Sequence, residues 1–277
     1  MSTILAASVC RQEHWHSDWY LKQGKRLGYG PAYANMPTSY HRKMWEFAAI
    51  LQTLDQRGLL TAGKKGLGFA VGTEPLPSLF ASMGVEVLAT DLMADRVNEN
   101  WVATGQHATS LDALYHPDLV SRTDFNARVR FEPADMTDLC TLDGEFDFLW
   151  SSCAFEHLGT IERGLDFVVN AMRLLKPGGV AVHTTEFNVS SATHTITEGS
   201  DVIYRSSDME VLGKRLKDVG CTLEPIDYDP GSHPYDLAHD SQPYGHSGRA
   251  HIKLEFGGYV CTSMLVVAAK AAPNSSW

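Results

Sequence analysis

Four stretches of this chain set chemically capable side chains at spacings that chemistry can use. The first is Val71-Gly72-Thr73-Glu74-Pro75-Leu76, a glycine and a carboxylate just ahead of apolar residues at Leu76, Leu79, Phe80 and Met83. That spacing is helical, so the stretch reads as a turn feeding a helix. Gly72 lets backbone approach a ligand closely, and the first helical turn offers unpaired N–H groups. The second stretch is Asp91-Leu92, with Asp91 19 residues after Gly72. A carboxylate ending a strand at that distance suits the two hydroxyls of a ribose. The third is Asp135-Met136, an acceptor beside a soft apolar side chain, which suits the amino edge and face of an adenine. The fourth is Ser151-Ser152-Cys153-Ala154-Phe155-Glu156-His157-Leu158, where a histidine with a neighbouring carboxylate could take a proton near neutral pH. Each has a plainer reading. Asp91 could be a helix cap, Asp135 a turn residue with a core methionine, Glu74 a carboxylate favoured by the helix dipole, and His157 a structural histidine.

Strands and helices must alternate to bring these stretches together. Strands are expected at 66–72 (running into the turn), 85–90, 129–131, 146–150 and 180–184. Helices are expected where Met44, Phe47, Ala48, Leu51 and Leu54 recur, across Leu76–Met83, and across Ile161, Leu165, Val168, Val169, Met172 and Leu175. Lys176-Pro177-Gly178-Gly179 reads as the stop of that last helix. Ser207 and Glu210 form a capping-box signature for a further helix carrying Leu212, Leu216 and Val219. Ile252, Leu254 and Phe256 alternate, Gly257-Gly258 turns, and Tyr259–Ala269 returns as an apolar strand. The fold class is therefore α/β: a single, doubly wound, mostly parallel sheet with a C-terminal antiparallel hairpin strand. Ligands of such sheets sit at the carboxyl ends of the strands, where all four stretches fall. Residues 1–63 read as an N-terminal helical extension or cap, and 64–277 as the main domain.

At these residues the chain resembles class I S-adenosylmethionine-dependent methyltransferases, over roughly 64–270. The resemblance rests on the strand–turn–helix at 66–83, Asp91, Asp135-Met136, the run Ser151–Leu158, Leu174–Gly179 and the reversed final strand. It implies that S-adenosyl-L-methionine is the cofactor. It also implies that Val71, Gly72, Thr73, Glu74, Pro75, Leu76, Asp91, Leu92, Asp135, Met136, Ser151 and Ser152 hold it, and that His157 and Glu156 are the catalytic pair. One departure stands out. The family's first turn reads GxGxG after an acidic residue, whereas here Gly68 takes the acid's place and Ala70, Gly72 and Glu74 follow. Ala70 is then expected at negative φ, and Glu74 is expected to replace the missing acid by accepting from the cofactor's α-amino group. Gly66, Gly68 and Gly72 also permit a dinucleotide reading, so an NAD(P)-dependent oxidoreductase stays open, as does a non-catalytic nucleotide-binding module.

Composition narrows the partners. With 23 Lys+Arg against 33 Asp+Glu the net charge is −10, which disfavours nucleic acid. Five scattered cysteines without a CxxC pair read as reduced thiols in a cytoplasmic protein, and no signal peptide or membrane span is expected. The C-terminal loop is rich in polar groups (His233, Tyr235, Asp236, His239, Asp240, Tyr244, His246, His251), and Trp15, His16, Trp19 and Tyr40-His41-Arg42 could close a pocket from the other side. Such a lining suits a small polar acceptor, a hydroxyl of a sugar or related metabolite. His183 and Glu186 are second choices as base. No spacing spells a metal-ligand set, so no metal is expected, and nothing in the pattern fixes an oligomeric state.

Overall fold

A computed structural model describes residues 4–29, 40–93, 107–245 and 249–272; His246 and part of the 95–124 region lie outside them. In chain order the elements are α1 (Asp18–Arg26), α2 (Arg42–Asp55), β1 (Lys65–Phe69), α3 (Leu76–Ser82), β2 (Glu86–Asp91), α4 (Arg122–Arg128), β3 (Val129–Pro133), β4 (Phe146–Ser152), α5 (Ile161–Ala171), β5 (Leu175–Asn188), α6 (Ser206–Asp218), β6 (Cys221–Leu223), α7 (Pro234–Leu237), β7 (Leu254–Phe256) and β8 (Tyr259–Lys270). The sheet runs β3-β2-β1-β4-β5-β8-β6, with β7 paired to β8. Strands β1 to β5 are parallel, and β8 enters antiparallel between β5 and β6. This is the doubly wound sheet with a reversed terminal strand that the sequence leads one to expect.

Three local details differ from the sequence reading. Lys176-Pro177-Gly178-Gly179 lies inside β5 rather than before it; the chain leaves α5 through a short turn at Met172–Leu174, and the β4–β5 register shifts between Phe146 and Phe148. Helix α6 begins two residues earlier than expected: its N-cap is Arg205, whose backbone N–H donates to Asp208 Oδ2 at 2.8 Å, rather than Ser207 paired with Glu210. Cys221–Leu223 is a further, three-residue strand.

The sheet separates two apolar layers. One holds Trp15, Trp45, Leu51, Phe80, Phe148, Trp150, Leu265 and Val267, so the N-terminal segment shares a core with the strands. The other holds Phe69, Leu149, Phe155, Phe167, Leu212 and Val266. Trp45 is fully buried and its indole N–H donates to His14 Nδ1 at 2.9 Å, so burial holds that imidazole neutral, with a pKa of about 3. Helix α2 therefore has a fixed seat across the carboxyl ends of β4 and β5 and the amino-terminal part of the antiparallel β8.

The join between β1 and β4 is the tightest part of the first layer. Gly66 pairs with Phe148 and Gly68 with Trp150. A Cβ on Gly66 would stand 2.4 Å from Phe148 Cζ, and one on Gly68 would stand 2.3 Å from Trp150 Cζ2. Both aromatic rings lie over the bare backbone of β1, and Phe80 meets each edge-on at 5.4 and 5.0 Å. These glycines are present because the aromatic side chains occupy the space that side chains on β1 would need. Gly68→Ala should cost about 1–3 kcal/mol of stability through overpacking, and Gly68→Asp more. Denaturant titration checks this: a Gly68→Ala midpoint equal to wild type would show that the aromatic rings yield freely.

Candidate functional site

The turn after β1 bends through two left-handed residues, Ala70 at φ +47 and Gly72 at φ +52. The expectation of negative φ at Ala70 is thus corrected. Val71 N–H must return to bond Thr90 O at 3.1 Å, and that reversal directly after the strand forces the left-handed bend. A non-glycine residue there costs about 1–2 kcal/mol. Glu74 follows, 8% exposed, its Oε1 accepting from Trp150 Nε1 at 2.6 Å. Burial pushes its carboxyl up to about 8, against the Trp150 hydrogen bond and the Lys43 charge. The indole that excludes an acid at position 68 also holds the carboxylate at 74.

Asp91 ends β2, buried, and its oxygens accept three backbone N–H groups. Oδ2 takes Gly72 at 3.0 Å and Ala108 at 3.1 Å, and Oδ1 takes Leu92 at 2.8 Å. Burial nevertheless raises its pKa above the ordinary carboxylate value. It ties the first turn to the second strand, a role the sequence reading missed. Leu92 O accepts from His107 at 2.6 Å. Asp135 Oδ1 accepts from the backbone and hydroxyl of Thr137 at 2.8 and 2.7 Å, and Met136 beside it is buried. Ser151 and Ser152 are the last residues of β4: Ser151 Oγ bonds His183 Nδ1 at 2.8 Å, and Ser152 Oγ donates to Glu46 Oε2 at 3.1 Å. The carboxylates at 74, 91 and 135, at the ends of three adjacent strands, are a donor set that fits a cationic amino acid end, a ribose and an adenine.

Beyond β4 and β5 lies a buried charged cluster that the sequence reading found only in part. Arg42 Nη2 pairs with Glu186 Oε1 at 2.5 Å, and its Nη1 lies 3.4 Å from Glu46 Oε1, 3.0 Å from Ser263 Oγ and 3.6 Å from Cys153 Sγ. Lys43 Nζ pairs with Glu46 Oε2 at 2.7 Å and reaches Ser152 O at 3.3 Å. Glu46 is fully buried; burial raises its pKa, but Lys43 and Arg42 outweigh that and hold it at about 2. Lys43 and Glu46 were missed because an i,i+3 charge pair on a helix reads as a solvated face. Their burial comes from tertiary contact alone.

His157 does not fit the role of a neutral base. Its Nδ1 lies 3.1 Å from Asp201 Oδ1 and 3.1 Å from Ser200 O, and Nε2 is 4.0 Å from Glu156 Oε1. Burial disfavours its charge, yet Asp201 and Glu156 prevail and lift its pKa to about 9. A ring already protonated at neutral pH cannot take a proton. His183 is excluded differently: it is fully buried on β5, and burial lowers its pKa to about 3. A third histidine fits better. His251 Nδ1 meets Asp240 Oδ2 at 2.8 Å, and Asp240 is fully buried and also held by Gly245 N–H. Burial, outweighing Asp240, lowers the His251 pKa below its ordinary value. Its ring stacks on His41 at 4.3 Å and its carbonyl accepts from Arg42 N–H at 2.9 Å, which places it at the rim of the charged cluster.

Residues 67–183 match the methyltransferase domain family. That match makes residues 67–183 a methyltransferase domain. No curated protein matches the chain. Among solved structures it is similar to the magnesium protoporphyrin IX methyltransferase of Synechocystis PCC 6803 with bound SAH, at 12% identity and TM-score 0.48, over 93% of this chain and 97% of that one. It is also similar to an S-adenosylmethionine-dependent methyltransferase of Mesorhizobium loti, at 15% identity and TM-score 0.47, over 79% and 97%. A third is phosphoethanolamine N-methyltransferase 2 of Haemonchus contortus, at 15% identity and TM-score 0.47, over 91% and 60%. No helix among the described residues of the methyltransferase is long and apolar enough to cross a membrane.

The paired histidine makes a signed pH prediction. Because the folded pKa of His157 is raised to about 9, its contribution to stability is complete below the unfolded pKa, roughly 6.5, and is lost as pH rises through about 9. Wild type and His157→Gln should therefore differ most in denaturation midpoint near pH 6 and converge near pH 10. An NMR titration placing the His157 ring near 6.5 would overturn the assignment.

Proposed function

We propose that this methyltransferase acts on a small polar acceptor, transferring the methyl group to a hydroxyl of a sugar or related metabolite. When bound, S-adenosylmethionine supplies a methyl activated by its sulfonium. The reading places it against Val71–Leu76, Asp91, Leu92, Asp135, Met136, Ser151 and Ser152, with Glu74 receiving the amino end. The observation that carries the acceptor reading is the cluster Arg42, Lys43, Glu46, Glu156 and Glu186 at the carboxyl ends of β4 and β5. A wall of buried charge favours a ligand that hydrogen-bonds over a flat apolar one. The acidic net charge of −10 supports a small molecule over nucleic acid.

In this reading His251 takes the hydroxyl proton and Asp240 positions it. The buried carboxylate keeps the proton of the neutral ring on Nδ1, which leaves the lone pair on Nε2. Glu156 stays on the reaction side as a buried carboxylate, while His157 holds the adjoining loop through Ser200 and Asp201. Incubating the enzyme with methyl-labelled S-adenosylmethionine and a panel of monosaccharides and sugar nucleotides should place label on a carbohydrate oxygen, identified by mass spectrometry. Label found on protein or RNA and on no small molecule would refute the acceptor class and leave the cofactor intact. With a labelled acceptor in hand, His251→Ala should lower turnover about 10²–10⁴-fold, with little change in cofactor affinity.

Glu74 gives an independent check on the cofactor end. Its folded pKa of about 8 means that the apo protein carries it protonated at neutral pH. A cationic amino group favours the ionised form, so cofactor affinity should rise with pH up to about 8 and level off above it. Calorimetry at pH 6 and pH 8.5 should show that rise in wild type and its absence in Glu74→Gln. The same slope in both proteins would remove Glu74 from the site.

A further inference from the structure

We propose that Cys153, Glu156 and Glu186 form a binding site for a divalent cation of the zinc type. One ligand atom from each, a thiol sulfur and two carboxylate oxygens, lies within 4.8 Å of the other two. The three come from separate places: Cys153 directly after β4, Glu156 in the short helical turn Phe155–His157, and Glu186 near the end of β5.

The second observation is that this group has buried carboxylate oxygens that accept no hydrogen bond among the described residues, although Glu156 Oε1 lies 4.0 Å from His157 Nε2. Glu156 is 0% exposed, and among the described residues its Oε1 has no hydrogen-bond partner; the same holds for Glu186 Oε2. A buried carboxylate oxygen left unpaired is costly, and native structures seldom retain one without a use. In both residues the other oxygen is anchored. Glu156 Oε2 accepts from Thr185 Oγ1 at 3.0 Å, and Glu186 Oε1 is held by Arg42 at 2.5 Å. Cys153 is fixed through its own backbone, whose N–H donates to Thr184 O at 3.1 Å and Thr184 Oγ1 at 3.0 Å. Carboxylates held by one oxygen, with the other free of hydrogen bonds, are what a preorganised metal site needs.

Charge and donor type select the cation. With its carboxylates ionised, as metal binding requires, the cluster has three negative charges on Glu46, Glu156 and Glu186 and two positive on Arg42 and Lys43, while His157 and Asp201 cancel, so it stands at −3 + 2 = −1; burial raises the Glu156 carboxyl, and a bound cation would offset that. A divalent ion bound by Cys153 as thiolate brings +2, and the departing thiol proton leaves −1 on sulfur, so the sum is zero. An organic ammonium could also neutralise the carboxylates, but it gains little from a sulfur donor. A mixed sulfur–oxygen set suits zinc better than the hard cations magnesium or calcium. Among the described residues, the His and Asp groups of the C-terminal loop contribute no ligand to this site.

The test does not depend on the acceptor. Full-length protein is stripped with a chelator and reloaded separately with zinc and with cobalt. Elemental analysis should find about one equivalent of zinc per chain, with a rise in melting temperature on loading. Cobalt should produce a near-ultraviolet thiolate-to-metal absorption band. Cys153→Ser should abolish that band, Glu156→Gln should weaken zinc binding at least as much as loss of an outer-shell partner does, and Thr185→Val should weaken it about 10–100-fold. Cys140, an exposed thiol, is the adventitious competitor, and Cys140→Ser should leave binding intact. Wild type that takes up no zinc overturns the proposal, as does a cobalt band that follows Cys140. If Cys153→Ser does not fold, Glu156→Gln decides: unchanged zinc affinity there also overturns it.

Discussion

The contact on which the rest of the molecule depends is the indole of Trp150 lying against the bare backbone of Gly68. Trp150 is fully buried, packed on Phe80, and hydrogen-bonded through Nε1 to Glu74. It excludes any side chain from position 68, fixes how closely β1 and β4 approach, and holds the carboxylate of the first turn. The departure from GxGxG is thus one correlated change rather than three losses. An acid removed from the strand is replaced by an acid six residues further on, in the turn, and the ring that displaced the first supports the second. This arrangement places a carboxyl group in a dry pocket, which is why its pKa rises to about 8.

The second constraint is helix α2. Its apolar residues lie in the core, so its N-terminal turn has a fixed position over the ends of β4, β5 and β8. From there Arg42, Lys43 and Glu46 reach residues more than a hundred positions away: Ser152, Cys153, Glu186 and Ser263. Buried ion networks of this kind add little net stability, whereas removing one member typically costs about 3–5 kcal/mol. A network retained at that risk beside the first turn of the sheet is better explained by recognition than by stability. The N-terminal segment is in this sense part of the site, although its sequence shows only an amphipathic helix with a few charges.

How much was legible follows from what each feature depends on. The parallel strands and the Gly257-Gly258 hairpin depend on local periodicity and turn chemistry, and both can be read from the chain. The three-residue strand Cys221–Leu223 is too short to show alternation, and the cap at Arg205 needed the structure because Ser207 and Glu210, at the same spacing as Arg205 and Asp208, are the more usual capping pair. Glu46 looked like a surface charge because burial is a tertiary property. His157 looked like a base because its Asp201 partner is 44 positions on, and only the fold brings them to 3.1 Å. Cys153 and Glu156 stand three apart in sequence, but Glu186 joins them only through the β4–β5 pairing, so no spacing rule would have grouped them.

Two strained residues tie these constraints together. Among the described residues, Ala70 and Cys153 are the non-glycine positions at positive φ, at +47 and +48, and each follows directly on one of the neighbouring strands β1 and β4. After each, the chain bends back to bond a strand beside it: Val71 N–H to Thr90 on β2, and Cys153 N–H to Thr184 on β5. Side chains in this conformation cost about 1–2 kcal/mol each relative to the ordinary right-handed region, and neither position uses glycine to avoid that cost. Strain of this kind persists where the surroundings over-determine it, and it concentrates at functional sites. At Ala70 it directs the turn toward Glu74. At Cys153 it aims a thiol at two carboxylates that a regular continuation of β4 would have carried past. The sheet thus opens at the β1–β4 boundary into two differently charged halves, a carboxyl-lined turn on one side and a mixed-charge cluster on the other. In the function proposed above, a methyl donor and a polar acceptor meet along that boundary.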